Sequence, residues 1–159
     1  MIIREIEQKD NVEIATLIRE VLTEFGVNRP GTVFTDPTTD HLFELFSRNE
    51  SGYFIAESDG KIVGGCGLFP TIGLPEGCVE LVKLYVNKGH RHTGLGKQLM
   101  GKTILAAKNF GFNSLYLETM PELSNAIKLY EKLGFKTIDK QLGDTQHFAC
   151  KIWMLKELN

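Results

Sequence analysis

The sequence has 159 residues, of which 42% are hydrophobic and 24% charged, and its formal net charge is −2. These values are ordinary for one globular domain, and they argue against the basic surface that general nucleic-acid or membrane-surface binding requires. The three cysteines are far apart and form no CxxC pair, which predicts buried thiols rather than a metal site or disulfides. No apolar run approaches the length of a membrane span and no signal-peptide pattern is present, so a cytoplasmic protein is expected.

The N-terminal part predicts a short strand followed by two helices. Ile2–Ile6 has a strand pattern, and Asp10 then begins a helix whose apolar residues repeat at helical spacing until Gly26. Residues 26–40 are rich in glycine, proline and aspartate, which predicts a loop. A second short helix is predicted over about Thr39–Arg48.

The middle of the chain predicts three strands and a long helix. Tyr53–Ser58 and Lys61–Phe69 flank an Asp-Gly turn, which is a strong hairpin signal. Cys78–Val86 is apolar at almost every position, as expected of a central strand that is covered on both faces. The helix that begins at Leu95 has an apolar stripe and a lysine-bearing face. The predicted stripe is Leu95, Leu99, Thr103, Ala106 and Phe110, and the lysines are Lys97, Lys102 and Lys108.

The C-terminal part completes the pattern with strands and one more helix. Ser114–Glu118 reads as a strand, Ser124–Leu133 as a helix that ends at Gly134, and Phe135–Ile138 and about Phe148–Leu155 as the last strands. The predicted order is β-α-α-β-β-β-α-β-α-β-β, a mixed α/β sheet with helices on its faces. No linker or repeat divides the chain, so one domain over residues 1–159 is expected.

The most informative local motif is Arg91-His-Thr-Gly94-Leu-Gly96, between the apolar strand and the long helix. Backbone amides at a helix start have no internal partners, and the helix dipole favours an anion there. Glycines allow close approach of a phosphate, and an arginine offers a cationic fork. A dinucleotide-binding motif would need G-x-G-x-x-G and a P-loop would need Gly-Lys-Ser/Thr, and neither is present. A glycine turn without a ligand is the alternative.

A second motif, Asn125-Ala-Ile-Lys-Leu-Tyr130-Glu-Lys-Leu-Gly134-Phe135, follows the first at a fitting distance. Together the two motifs resemble those of the GNAT superfamily of N-acetyltransferases, and the resemblance extends in element order over nearly the whole chain. It implies a mixed, mostly antiparallel sheet of six to seven strands flanked by about four helices. It also implies acetyl-CoA as acyl donor, with no metal.

The resemblance assigns a set of residues to coenzyme A. The first motif would hold the pyrophosphate, the free edge of the splayed central strand would hold the pantetheine arm, and the second motif would contact it from the other side. The implied residues are Leu84, Val86, Arg91, His92, Thr93, Gly94, Leu95, Gly96, Asn125 and Tyr130, with His92, Thr93 and Leu95 offering their backbone amides. An asparagine near a helix start can equally be a helix cap.

The resemblance further implies direct attack of an amine on the thioester within a ternary complex. Glu80 is the candidate general base, because it interrupts an apolar strand, and a structural salt bridge is its alternative. Tyr130 is the candidate acid towards the departing thiolate. A phenol, with a reference pKa of about 10, is less acidic than a thiol at about 8.5, so a stabilising hydrogen bond is the alternative description.

The acceptor is expected to bind between the loops at about Gly26–Asp40 and Gln141–His147, but no pattern identifies it beyond a small-molecule or peptide amine. Candidate groups to receive an ammonium are Asp36, Asp40 and Asp144, although aspartates in loops also form turns. Phe34 and Phe148 are candidates for an apolar wall, and His147 is a candidate titratable group in the second loop. Two other functions stay open: a non-catalytic acyl-CoA-binding regulatory module, and a protein that binds ADP alone. A homodimer is possible.

Overall fold

The computed structural model describes all 159 residues, which form one seven-stranded sheet with helices on both faces. The strands are β1 (Ile2–Glu5), β2 (Gly52–Ser58), β3 (Lys61–Phe69), β4 (Cys78–Val86), β5 (Ser114–Thr119), β6 (Lys136–Ile138) and β7 (Ile152–Glu157). The helices are α1 (Asn11–Glu24), α2 (Leu42–Leu45), α3 (Leu95–Asn109) and α4 (Ser124–Lys132). The predicted element order and fold class are confirmed.

The strands are arranged in the order β1-β2-β3-β4-β5-β7-β6, and only the pair β4 and β5 is parallel. One apolar core lies between the sheet and helices α3 and α4, and a second lies between the sheet and helices α1 and α2. The two central strands are therefore covered on both faces. None of the helices combines the length and the apolarity that crossing a bilayer requires.

Two predicted elements differ from the structure. The second helix has only one α-helical turn, because Pro37 begins a 3₁₀ segment that runs to His41 and is capped by the Asp36 side chain. The last strand begins at Ile152 rather than at Phe148, because the Cys150 N–H donates to the His147 carbonyl and closes a turn first.

The apolar stripe of α3 also differs from the prediction in its last turn. Leu95, Leu99 and Thr103 are buried as predicted, but Ala107 is buried in place of Ala106 and Phe110. The predicted stripe takes a step of three from Thr103 to Ala106, whereas the buried face continues with a step of four to Ala107. A helix advances 3.6 residues per turn, so both steps fit the sequence pattern and packing selects between them. The three predicted lysines of this helix are exposed as expected.

Strands β4 and β5 part after a short parallel contact. Their pairing joins Cys78–Glu80 to Ser114–Tyr116 and ends there, although both strands continue. On its other edge β4 pairs with β3, where Gly65 lies opposite Tyr85 and Gly67 lies opposite Val82. Two steps along β3 therefore match three steps along β4, so β4 contains a bulge. Lys83 lies within the bulge and has a left-handed φ of 53°. Because a bulge bends its strand, it turns the end of β4 away from β5.

Tyr53 of β2 supports the bulge from across β3. Its hydroxyl donates a hydrogen bond of 2.7 Å to the carbonyl of Lys83. The ring occupies the space that side chains on β3 would otherwise fill, since a Cβ atom at Gly65 would lie 2.5 Å from the ring and one at Gly67 2.6 Å. The glycines of β3 therefore allow Tyr53 to reach the bulge.

We expect Gly65→Ala to lower the free energy of unfolding by about 1–3 kcal/mol, because the added methyl group displaces the Tyr53 ring. Gly101→Ala is the matched control, since a Cβ at this exposed position of α3 meets no atom within 4 Å. It should raise the free energy of unfolding by about 0.5–1 kcal/mol through helix propensity. Urea denaturation measures both values, and a Gly65→Ala protein as stable as the wild type would contradict the role of Tyr53.

Candidate active site

A cavity of about 420 Å³ occupies the gap between the diverging strands. Its walls are the second half of β4, the end of β5, the start of α3 and one face of α4, with the C-terminal part of α1 and the loop after it closing one side. More than half of the lining residues are hydrophobic. A ligand that is largely apolar and carries a few polar groups suits this lining.

One end of the cavity is the N-terminus of α3. Gly94 occupies the N-cap position with a φ of 87°, and no side chain caps the helix. His92 also has a positive φ, of 61°, whereas Thr93 between them does not. This alternation of left-handed and right-handed backbone conformations turns successive N–H groups towards one side. Such a concave row of N–H groups at a helix N-terminus binds anions. A Cβ at Gly96 would lie 3.1 Å from Leu129, so this glycine also brings α3 close to α4.

Arg91 is held by α1. Its guanidinium donates two hydrogen bonds, of 2.7 and 2.9 Å, to the carboxylate of Glu24, and its Nε donates to the Val86 carbonyl at 3.0 Å. The guanidinium also stacks on the Phe25 ring, 4.8 Å from its centre. A contact between this arginine and a phosphate stays a prediction. Lys97 and Lys132 are the exposed cations that line the cavity.

Helix α4 contributes Asn125 and Tyr130 to the opposite wall. Asn125 is exposed and its side chain forms no capping hydrogen bond, so the helix-cap alternative is wrong. Tyr130 is 7% exposed and its ring packs against Phe135. Burial raises the pKa of its phenol well above the ordinary value, so the hydroxyl stays protonated at neutral pH.

Glu80 lies on the cavity wall at the point where β4 and β5 part, and it is only 5% exposed. Its carboxyl group accepts a hydrogen bond from the Thr71 hydroxyl and forms no salt bridge, so the structural salt-bridge alternative is wrong. Burial raises its pKa to about 8, and the nearby Glu118 acts in the same direction. A carboxyl group with such a pKa takes up and releases protons near neutral pH.

Three charged or polar side chains from three segments, Asp36, Lys83 and His147, lie together at the cavity wall. Asp36 lies behind the wall and accepts a hydrogen bond of 2.9 Å from the His147 imidazole. Lys83, whose side chain is 4% exposed, lies 3.9 Å from the same carboxylate. Both Lys83 and His147 line the cavity. The contact between Asp36 and His147 joins the two loops that were predicted from the sequence to bind the acceptor.

Most of the predicted site residues line this one cavity: Glu80, Leu84, Val86, Arg91, His92, Gly94, Gly96, Asn125 and Tyr130. Thr93 and Leu95 do not line it with their side chains, because the Thr93 hydroxyl donates to the His90 carbonyl and Leu95 enters the core. Their backbone amides, which are the groups implied to bind the phosphates, stay a prediction. Of the predicted acceptor residues only His147 lines it. Asp40 pairs with Arg19, Asp144 bonds to Gln146, Phe34 lies outside the cavity, and Phe148 covers Gly31.

Several lining residues were not assigned to the site from the sequence. Lys83 is a charged residue in an apolar strand, which is a sequence signal for a functional residue. The face of the strand on which its side chain lies depends on the bulge, which the sequence does not reveal. Glu118 also lines the cavity, and its carboxylate accepts hydrogen bonds from Tyr116, Gln141 and Thr145. Thr119 adds a buried hydroxyl that has no partner. The three cysteines are free and buried, as predicted.

Comparison with known proteins identifies the family of this fold and site. Residues 15–135 match the Acetyltransferase (GNAT) family. The uncharacterized N-acetyltransferase YjgM of Escherichia coli K12 is 39% identical over 158 residues, which cover 99% of this chain and 95% of YjgM. A GNAT-family acetyltransferase of Staphylococcus aureus Mu50 has the same fold, with a TM-score of 0.88 at 23% identity and 99% of both chains covered.

The PaiA N-acetyltransferase of Thermoplasma acidophilum, crystallised in complex with coenzyme A, also shares the fold. Its TM-score is 0.70 at 20% identity, over 99% of this chain and 98% of that one. The family match covers most of the chain and the similarity to YjgM nearly all of it. The chain therefore belongs to the GNAT family and is an acetyltransferase.

Proposed function

We propose that this acetyltransferase transfers an acetyl group from acetyl-CoA to a primary amine by direct attack in a ternary complex. The observation that carries the proposal is one continuous cavity with an uncapped helix N-terminus at one end and a buried carboxyl group at the other. The two ends match the two needs of the reaction, an anchor for a diphosphate and a proton acceptor for an amine.

The amides at the start of α3 hold the diphosphate, and the exposed Lys97 adds a positive charge. Leu84 and Val86 lie on the part of β4 that has no partner on its β5 side, where backbone groups are free to bind the amides of the pantetheine arm. Asn125 reaches the same channel from α4. The coenzyme A complex of PaiA, which shares the fold, supports this use of the cavity.

Glu80 accepts the proton of the attacking amine, directly or through a water molecule. Its raised pKa makes it a stronger base than an ordinary carboxylate once it is ionised. Holding the amine and the thioester together in one cleft supplies roughly 7–11 kcal/mol by proximity and orientation. No acyl-enzyme is needed, and burial raises the pKa of Cys150, the one cysteine that lines the cavity, to about 12, which makes it a poor nucleophile.

Tyr130 stabilises the departing thiolate with a hydrogen bond rather than by full proton transfer. Its phenol is much less acidic than a thiol, because burial raises the pKa of the phenol further above its ordinary value. A neutral donor that stays protonated at every working pH can still stabilise the developing negative charge on sulfur. The cytoplasmic location expected from the sequence, and the homodimer that it allows, stay predictions.

We expect Lys97→Glu to weaken acetyl-CoA binding by about ten- to a hundredfold in calorimetry, because a carboxylate then faces the diphosphate. The helix should stay intact, since an acidic residue is favourable in a first turn. Lys108→Glu changes the net charge equally at the exposed far end of α3, outside the cavity, and should bind like the wild type.

Equal binding by these two variants would contradict the location of the diphosphate. A folded wild-type protein that binds no acetyl-CoA would contradict the proposed function. A protein that binds acetyl-CoA tightly but acetylates no amine would instead be a non-catalytic acyl-CoA-binding module. Stronger competition by ADP than by coenzyme A would favour the nucleotide-binding alternative.

We expect Glu80→Gln to remove the part of the pH dependence of kcat/KM that comes from ionisation of the base. Glu80 must be ionised to act as a base, so the wild-type to variant ratio of kcat/KM should rise about tenfold per pH unit and level off above its pKa of about 8. Measuring both enzymes with the same amine cancels the ionisation of the amine itself. Tyr130→Phe is the control, and it should lower kcat by a similar factor at every pH. A ratio that does not change with pH would show that Glu80 is not the base.

A further inference from the structure

Lys83 is a buried cation that opens into the cavity with unused hydrogen-bonding capacity. Its side chain is 4% exposed, and its Nζ lies 3.9 Å from the Asp36 carboxylate, which is beyond hydrogen-bond length. An ammonium group has three N–H donors, and Nζ forms no hydrogen bond with any other residue. Burying such a group costs free energy unless a partner completes it. The cavity, which Lys83 lines, is the direction from which a partner can come.

Asp36 forms no hydrogen bond with Lys83, whose Nζ stays 3.9 Å from Oδ2, and its carboxylate is held by other donors. Its Oδ1 accepts hydrogen bonds from the N–H and the hydroxyl of Thr38, and its Oδ2 accepts one from His147 Nε2. These donors, with the Lys83 charge, hold the pKa of Asp36 well below its ordinary value. Asp36 lies outside the cavity lining, whereas Lys83 and His147 belong to it. The Asp36 carboxylate therefore positions the Lys83 and His147 side chains from the side that faces away from the cavity.

Glu80 and Lys83 belong to the same strand and open into the same cavity. They are three positions apart on β4, with Glu80 at the end of the β5 pairing and Lys83 in the bulge that follows. A small molecule that carries both an amine and a carboxylate therefore meets a proton acceptor and a cation in one cavity.

We propose, on the basis of the proposed function, that the acceptor is a free α-amino acid whose carboxylate binds to Lys83 beside His147. The ligand carboxylate accepts hydrogen bonds from the free N–H groups of Lys83, and the amine of the ligand then faces Glu80. A polyamine would instead bring a second positive charge against Lys83 and is disfavoured. The neighbouring wall is formed by Val33, Met120 and Leu123, so an apolar side chain on the amino acid has a surface to pack against.

The test measures kcat/KM for L-leucine, L-leucinamide and L-leucinol, each corrected for the fraction of unprotonated amine. The wild type should prefer leucine over both uncharged analogues by about ten- to a hundredfold, because only the carboxylate pairs with Lys83. Lys83→Met keeps the apolar stem of the side chain and should abolish this preference. Lys108→Met, at an exposed position of α3 outside the cavity, should retain it.

The outcomes separate the two proposals. Acetyl-CoA binding by the Lys83→Met protein, measured by calorimetry, shows that the variant is folded, and Lys83→Gln replaces it if it is not. A wild type that acetylates leucinamide and leucinol as well as leucine overturns the amino-acid proposal and leaves the acetyltransferase function intact. A Lys83→Met enzyme that loses stability but keeps the preference for leucine shows a purely structural ion pair and also overturns it. A wild type that acetylates no amine overturns both proposals.

Discussion

The site depends on the parting of two neighbouring parallel strands in the middle of the sheet. β4 and β5 pair over three residues each, and the bulge at Lys83 then turns β4 away. A bulge with a non-glycine residue at positive φ costs free energy, so it persists only where surrounding contacts hold it. The hydrogen bond from the Tyr53 hydroxyl to the Lys83 carbonyl, with the ring packed against Gly65 and Gly67 of β3, is such a contact.

The opened gap gives the protein two chemically different ends within one cavity. At the α3 end, exposed amides and lysines suit a charged diphosphate that stays partly in solvent. At the other end, Glu80 and Lys83 are almost fully buried. Burial raises the pKa of Glu80 and lowers the pKa of Lys83, because it disfavours the charged form of each group. A ligand group of opposite charge would stabilise each charged form. The binding energy of a large cosubstrate at one end can thus support proton transfer at the other.

The sequence predicted much of this arrangement and missed what depends on long-range packing. Local signals gave the strand Cys78–Val86, the turn at Gly94 and the order of the elements, because periodicity and glycine positions are local properties. It could not show that Glu24 of α1 binds Arg91, since 67 residues separate them. The orientation of Lys83 was equally hidden, because a one-residue bulge reverses the face that a side chain takes.

The most direct test of this account is an NMR titration of the labelled protein with acetyl-CoA, following the backbone amides. The largest shift changes should fall in two separate segments, residues 82–86 of β4 and residues 92–97 at the start of α3. The first segment is proposed to bind the pantetheine arm and the second the diphosphate. The account would be contradicted if both segments kept their shifts and the changes fell instead around a different cavity, which Phe43, Phe54 and Phe110 line.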